Sequence, residues 1–339
     1  MNSVTILSSP REIKRTAWEK LLRESENRSP FQGPKYFDFY AGLSDYQPFV
    51  FAAESNGSII VLISGVIIAE KTMLKRFFSR RAIIFGGPLL QNQSPETLIA
   101  LDKTLKAMDS FLKDKILYAE MRNLSDYSSC ESIFKKNFWH LNPHLNFLVE
   151  IDKSSDACLK KLSKSKRRQV SKSFKNGAEI VLASTLEEVD EFYLLLQKLY
   201  QSKVGKPLPS IQFFRNFFRH ELGIFLLVKK DTKIVAGMTA PILDGERIYE
   251  WYIAGSDLDY REIYPSVIAT WAAIQYASDN GLAIFDFMGA GKPNEDYGVR
   301  EFKEKFGGKL VSFGRYKKIY KPYLYRVGEI GLSIYRKLI

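Results

Sequence analysis

The chain has 339 residues, of which 45% are hydrophobic and 26% charged, with 50 Lys+Arg against 38 Asp+Glu for a net charge of +12. At roughly 150 residues per domain this length implies about two globular domains; the composition excludes a disordered chain, a collagen-like fibre and a bundle of membrane spans. Two cysteines, Cys130 and Cys158, are too few for a disulfide framework and fit a reducing cytoplasm.

The N-terminal stretch MNSVTILSSPREIKR has no basic region ahead of an apolar core, so no signal peptide is expected. Val4 to Leu7 reads as a short strand and Pro10 to Glu24 as a helix, with Trp18, Leu21 and Leu22 at helical spacing. Phe49–Ala53 and Ile59–Ala69 are apolar strands joined by the turn signal Ser55-Asn56-Gly57. The second of these is the longest apolar run, and it falls well short of the roughly 20 residues of a membrane helix. Then come a strand at Ala82–Phe85, a helix from Pro95 to Lys113, a strand at Ile116–Met121, a helix at Tyr127–Asn137 and a strand at Asn146–Ile151.

A basic helix, 156–176, is closed by Gly177 and followed by the strand Glu179–Leu182. A proline-broken helical pair, Leu186–Gln201 and Ile211–Glu221, leads to the hairpin Ile224–Val228 and Ile234–Leu243. The strand Arg247–Ala254, the helix Ser266–Asn280 and the strand Ala283–Met288 complete this half. The order repeats that of the first half, at an offset that drifts from 175 residues at Phe49 and Ile224 to 167 at Ile116 and Ala283. The expected fold is therefore α/β, with two similar domains, each a mixed sheet flanked by helices.

The positive charge is local. Leu159 to Lys175 holds eight basic residues and no acidic one, and Lys303 to Ile339 holds ten basic and two acidic. Such blocks speak of partners rather than of fold. RNA, a pyrophosphate-bearing substrate and an anionic membrane face all suit them, and a solvated helix face is the bland alternative. Within KKLSKSKRRQVSKSFKNG, Lys164, Arg167 and Arg168 are candidate phosphate contacts, because arginine meets phosphate with two parallel hydrogen bonds. The last segment, 321–339, reads as an amphipathic helix with Leu324, Val327, Ile330, Ile334 and Leu338 on one face. Lys321, Arg326, Arg336 and Lys337 lie alongside, which suits peripheral contact with an inner membrane leaflet; packing on its own domain is the alternative.

Two further stretches carry chemical content. In FDFMGAGKPNEDYGVREFKEKFGG, Asp286 sits within an apolar strand, and a Gly-rich turn precedes the Phe302-Lys303 pair. Asp286 is either a site carboxylate or the holder of a loop amide, and Lys303 either a site residue or a snorkelling surface lysine. In RIYEWYIAG, Glu250 and Tyr252 share a strand face; Glu250 is a candidate general base if buried. There is no G-x-S-x-G elbow. Three histidines leave little material for zinc, and no metal is expected.

Three segments carry a family resemblance: LSKSKRRQVSKSFKNGAEI from Leu162, GKPLPSIQFF from Gly205, and YPSVIATWAAIQYASDNGLAIFDFMGAGKPNEDYGVREFKEKFGGKLV from Tyr264. Together they resemble the FemA/FemB/FemX family of non-ribosomal peptidyltransferases, built from twin GCN5-related acetyltransferase-like domains. The match is strongest from Leu159 to Val311. It implies domains at 1–145 and 146–320, ahead of the helix 321–339. It also implies transfer of an amino acid from aminoacyl-tRNA to an amine of a peptidoglycan precursor, with no cofactor. By the resemblance Lys303 stabilises the oxyanion with Phe302 beside it, and Glu250 and Asp286 stand next as catalytic candidates. Gln32 and Tyr36 resemble the family's Gln-x3-aromatic motif of the precursor groove, although the lysine that follows in the family is missing from Phe37 to Tyr40. The long helical arm of the tRNA-using members is absent. DYREIYPSV replaces the acetyl-CoA loop of simple acetyltransferases, which disfavours CoA. The alternatives are an acyl-CoA-dependent N-acyltransferase of a surface-polysaccharide or sugar precursor, and a non-catalytic RNA- or membrane-binding protein. The expected location is cytoplasmic.

Overall fold

The computed structural model describes residues 4–69, 80–205 and 207–338, apart from the side chains of 332–338. The chain forms two compact units, Met1–Pro143 with Phe313–Ile339, and His144–Ser312.

The first unit holds the strands β1 (Thr5–Leu7), β2 (Tyr46–Ser55), β3 (Ser58–Ile68), β4 (Arg81–Phe85), β5 (Leu89–Leu90), β6 (Tyr118–Arg122) and β7 (His140–Asn142), and a late strand, β16 (Arg315–Ile319). Their order is β1-β2-β3-β4-β6-β16-β7, with β5 paired to β3. Among these described strands only β4 and β6 run parallel. Strands buried on both faces read as continuous apolar runs. On β2, Phe49, Phe51 and Ala53 pack with Leu101, Leu105 and Met108 of the helix Pro95–Leu112, on one face. Val50 and Ala52 pack with Trp18 and Leu21 of the helix Arg15–Glu24, on the other. The Pro95 helix begins as its sequence requires: proline stands at the first position, and the Ser94 side chain accepts from the Thr97 amide at 3.3 Å.

The second unit holds β8 (Asn146–Glu150), β9 (Glu179–Leu182), β10 (Gly223–Lys230), β11 (Lys233–Leu243), β12 (Arg247–Tyr249), β13 (Tyr252–Gly255), β14 (Ile284–Asp286) and β15 (Lys309–Val311). Their order is β15-β8-β14-β12-β11-β10-β9, with β13 paired to β11. Again one pair, β12 and β14, runs parallel. The helix Pro265–Asp279 is buried almost all round, through residues such as Ile268, Trp271, Ala272 and Ile274.

Both sheets thus share one plan: three antiparallel strands, a parallel pair, then two more strands. β3 and β11, the hairpin partners expected to correspond, each stand third from their sheet's outer edge. The repeat has a twist in connectivity. The strand beside the parallel pair is β16 in the first unit and β8 in the second. Each is the segment that follows the other unit's sequential run.

That exchange moves the expected boundary at 320. Residues 313–320 belong to the first unit, because β16 pairs with β6 from Arg315↔Arg122 to Ile319↔Tyr118. The expected helix 156–176 is in fact two, Ser155–Lys161 and Lys164–Lys175. Leu162 leaves helical geometry, and Ser163 caps the second helix by accepting from the Lys166 amide. Lys160 and Lys164 therefore do not share one helix face.

The C-terminal helix Pro322–Leu338 packs Tyr325 edge-on against Tyr118, with ring centroids 5.3 Å apart. Tyr323 is 88% exposed, and Val327 and Ile330 are 55% exposed each. The side chains of Ile334, Arg336, Lys337 and Leu338 lie outside the described residues. No helix among the described residues is long and apolar enough to cross a membrane.

Candidate active site

The parallel strands β12 and β14 part company at Glu250. Its amide still donates to the Asp286 carbonyl at 2.9 Å, but the next amide, of Trp251, turns away to Thr239 at 3.1 Å. Such a divergence strands backbone carbonyls in the interior, where each needs a donor. Lys303, from the helix Gly298–Glu304, supplies it: Nζ donates to the carbonyls of Phe287 and Gly289, both at 2.8 Å. Its third N–H faces Glu250 Oε1 at 2.9 Å. Both side chains are buried. Burial pushes the Glu250 carboxyl up, against the pull of the Lys303 charge. A buried carboxylate beside an ammonium is thus fixed where these two strands part.

The loop beyond β14 is held from below. Met288 takes φ +54°, a left-handed conformation that L side chains adopt at a cost. Its amide donates to Asp286 Oδ1 at 2.7 Å, and Asn146 Nδ2 donates to the same oxygen at 2.7 Å. Asn146 Oδ1 in turn accepts from the Gly289 amide at 2.7 Å, and Arg247 Nη1 lies 3.4 Å from Asp286 Oδ2. Asp286 has no exposed surface, and burial raises its pKa. Its contacts are those of a loop holder, the alternative the sequence left open for it.

On the basic helix, Lys164 and Arg168 are exposed and Arg167 is half-buried. None of the three forms an ion pair with a described residue. The residue that faces inward is Lys166, which the sequence reading passed over. It lies one turn before Val170 and two before Ser173, the other buried residues of this helix. Its Nζ rests 4.0 Å from the centroid of Phe302 and 5.4 Å from that of Phe306. Burial, with repulsion from Lys305, brings its pKa down to about 8, against a smaller opposing pull from Asp257. The signal was present in the sequence as helical phase, but a run of eight basic residues hides which one points in.

Tyr252 is half-buried among aromatic rings, with Phe214 at 5.1 Å and Phe213 at 5.8 Å. In the first unit, Gln32 is fully buried: Nε2 donates to the Gly87 carbonyl at 2.9 Å and Oε1 accepts from Ser29 at 2.8 Å. Tyr36 is 2% exposed and packs on Phe31 at 5.0 Å. Both therefore brace the first unit's interior. The surface recess beside them is lined by Phe31, Phe37, Tyr40, Ser64 and Phe85 among others.

Residues 160–304 match the family model described as an acetyltransferase (GNAT) domain. The chain is 20% identical over 326 residues to a UDP-N-acetylmuramoylpentapeptide-lysine N(6)-alanyltransferase of Weissella viridescens, covering 88% of this chain and 90% of that one. Among solved structures, FemX superposes with a TM-score of 0.71 at 16% identity, covering 93% of this chain and 98% of FemX. A tandem GNAT protein from the clavulanic acid biosynthesis pathway superposes with a TM-score of 0.60 at 9% identity, covering 94% and 99%. The fold is that of two GCN5-related acyltransferase-like domains in tandem. Within that class, the resemblance to the FemA/FemB/FemX peptidyltransferases read from the sequence stands, and the similarity extends over nearly the whole chain.

Proposed function

We propose that this chain is an aminoacyltransferase that moves an amino acid from aminoacyl-tRNA to an amine of a peptidoglycan precursor. The observation that carries the reading is the buried Lys303–Glu250 pair at the open end of the parallel strands, beside Phe302. In this reading the acceptor amine attacks the ester carbonyl, an oxyanion forms, and the bond to the tRNA oxygen breaks. Positioning and a cation near the oxyanion supply most of the acceleration. Lys303 is that cation. Its three N–H groups are already engaged, so the oxyanion competes with the Gly289 carbonyl for one of them. The oxyanion wins that competition, since it sets a full negative charge opposite the ammonium where the carbonyl offers only a dipole. Lys164, Arg167 and Arg168, with no acidic partner among the described residues, suit substrate phosphates, and Phe302 and Tyr252 suit its apolar parts.

One feature favours tRNA over acyl-CoA as donor. A helix N-terminus is the usual seat of a pyrophosphate. At the helix Pro265–Asp279 that seat is filled by Asp257, whose carboxylate accepts from the Ser266 amide at 2.9 Å and from the Ser266 hydroxyl. A carboxylate there repels a second anion. The stripe of Tyr323, Val327 and Ile330, flanked by Arg326, supports peripheral contact with the inner face of the cytoplasmic membrane. The deciding experiment incubates the purified protein with pools of labelled charged tRNA, with acyl-CoAs, and with nucleotide- and lipid-linked precursors. Label passing from tRNA to a precursor amine is expected; transfer from acyl-CoA alone would overturn the reading.

A further inference from the structure

Lys166 and Lys303 are the two buried lysines among the described residues of the second unit, and they differ in one respect. Lys303 spends every N–H on oxygen, two on carbonyls and one on Glu250. Lys166 Nζ meets no carboxylate, carbonyl or hydroxyl among the described residues; it meets only the faces of Phe302 and Phe306. The same group of rings joins the two. Phe302 lies 5.2 Å from Phe306, Phe306 lies 6.0 Å from Phe287, and Lys303 Nζ lies 5.0 Å from the Phe287 ring. One phenylalanine cluster therefore carries one ammonium locked by a carboxylate and one amine with no counter-ion.

These two states suit different tasks. A lysine held between a carboxylate and two carbonyls is placed to serve as a cation. A lysine taken out of water without an oxygen acceptor loses its proton more readily than an exposed one, although ring faces attract its ammonium, and once neutral it has an unused lone pair. The charged groups acting on Lys166 are Lys305, just past the helix Gly298–Glu304, which disfavours its ammonium, and Asp257, ahead of the helix Pro265–Asp279, which favours it. With a pKa of about 8, an appreciable fraction is neutral at physiological pH.

We propose that Lys166 is the proton acceptor of the transfer, a role that rests on the aminoacyl-transfer reading. As the new C–N bond forms, the attacking nitrogen passes a proton to the Lys166 amine. As the ester C–O bond breaks, the resulting ammonium returns that proton to the departing tRNA oxygen. Lys166 ends the cycle as it began, and no further reactant is consumed.

The test uses the full chain. With lysines carrying 13C-methyl groups and Lys166→Arg to assign the signal, the Lys166 midpoint should fall near 8. A midpoint at the ordinary lysine value of about 10.4 would overturn the role. So would a midpoint that climbs when inorganic phosphate is added, since that marks an anion anchor. In single-turnover transfer, the wild type should gain rate with a midpoint near 8 as pH rises. Lys166→Met should lose that limb and be slower by about 10²–10⁴-fold, the usual worth of a general base. Should it fail to fold, Lys166→Arg keeps the stacking on Phe302 and cannot act as a base, so it carries the same expectation. Wild-type rates in either variant would overturn the base role alone. No transfer by the wild type from any charged tRNA would overturn the parent reading, and the two failures are thus told apart.

Discussion

The Lys303 ammonium and the Glu250 carboxylate sit 2.9 Å apart, with side chains 9% and 6% exposed, and the lysine's remaining N–H groups hold two loop carbonyls. The pair is therefore both a reacting centre in the proposed transfer and a brace for the loop that surrounds it. Removing one member leaves the other charge buried and uncompensated, at a cost of about 3–5 kcal/mol. Lys303→Met is expected to lose about that much in urea unfolding, and the double variant Lys303→Met with Glu250→Gln to lose less than the two single losses summed. Strict additivity would show that the pair is not coupled.

In transfer assays Lys303→Met should lower kcat by about 10²–10³-fold with little change in KM, as for loss of one oxyanion donor. Lys303→Arg should not restore the rate, because a planar fork cannot reach the same three acceptors as a point charge. Single-turnover rates at saturating substrate separate this from weakened binding. A wild-type rate for Lys303→Met would remove the lysine from the chemistry.

Arg167→Ala with Arg168→Ala is expected to weaken binding of a phosphate-bearing substrate by about 1–3 kcal/mol. The affinity of the wild type should fall with added salt, and that of the variant less steeply. Titrations at two or more ionic strengths measure both effects. An affinity indifferent to salt and to the substitutions would free this helix from any binding role.

Stability should fall in acid partly through Glu188. Lys229, 2.8 Å away, and the Ser184 amide hold its carboxyl down at about 2. A folded-state pKa below the ordinary value of 4.5 contributes stability above that pH, and the contribution is lost as pH falls toward 2. Glu188→Gln should flatten that part of the curve of urea midpoint against pH. Glu250 and Asp286 act in the opposite sense: their raised values contribute stability at low pH that is lost as pH rises through them. An unchanged acid limb in Glu188→Gln would assign the loss to other carboxylates.

Anionic vesicles should retain the full chain better than a Val327→Asp, Ile330→Asp variant, since both side chains are exposed beside Arg326. Vesicles without anionic lipid should retain neither well. Equal co-sedimentation of both proteins would show that the helix packs only on its own unit, as Tyr325 already does against Tyr118.

Local patterns were legible in the sequence, and long-range pairings were not. Apolar runs and turn residues mark the hairpin of β2 and β3 and that of β10 and β11, because those pairings are made with neighbours in the chain. Pro95 and Pro265 mark helix starts for the same reason. Asp286 and Asn146 lie 140 residues apart, and no local pattern signals that one will satisfy the other. Lys303 could be picked out by resemblance, but its three partners come from a loop and a strand end that only the fold brings to it. Arg315 to Ile319 was read as part of the second domain. Its one clue was the buried Tyr316 between charged neighbours, the alternation of a strand with one face on a core.

The exchange of β16 has a consequence for how the protein is made. A ribosome releases the N-terminal residues first, and most domains begin to fold as they emerge. Here the first sheet lacks an interior strand until Arg315–Ile319 has been synthesised, although its other strands are complete by Asn142. Until then β6 and β7 face an empty place, with backbone groups unpaired where β16 will bond to both. The first unit must therefore wait, open along that seam, for the whole second unit to be translated. A strand made after the second unit is thus the one that closes the sheet of the first.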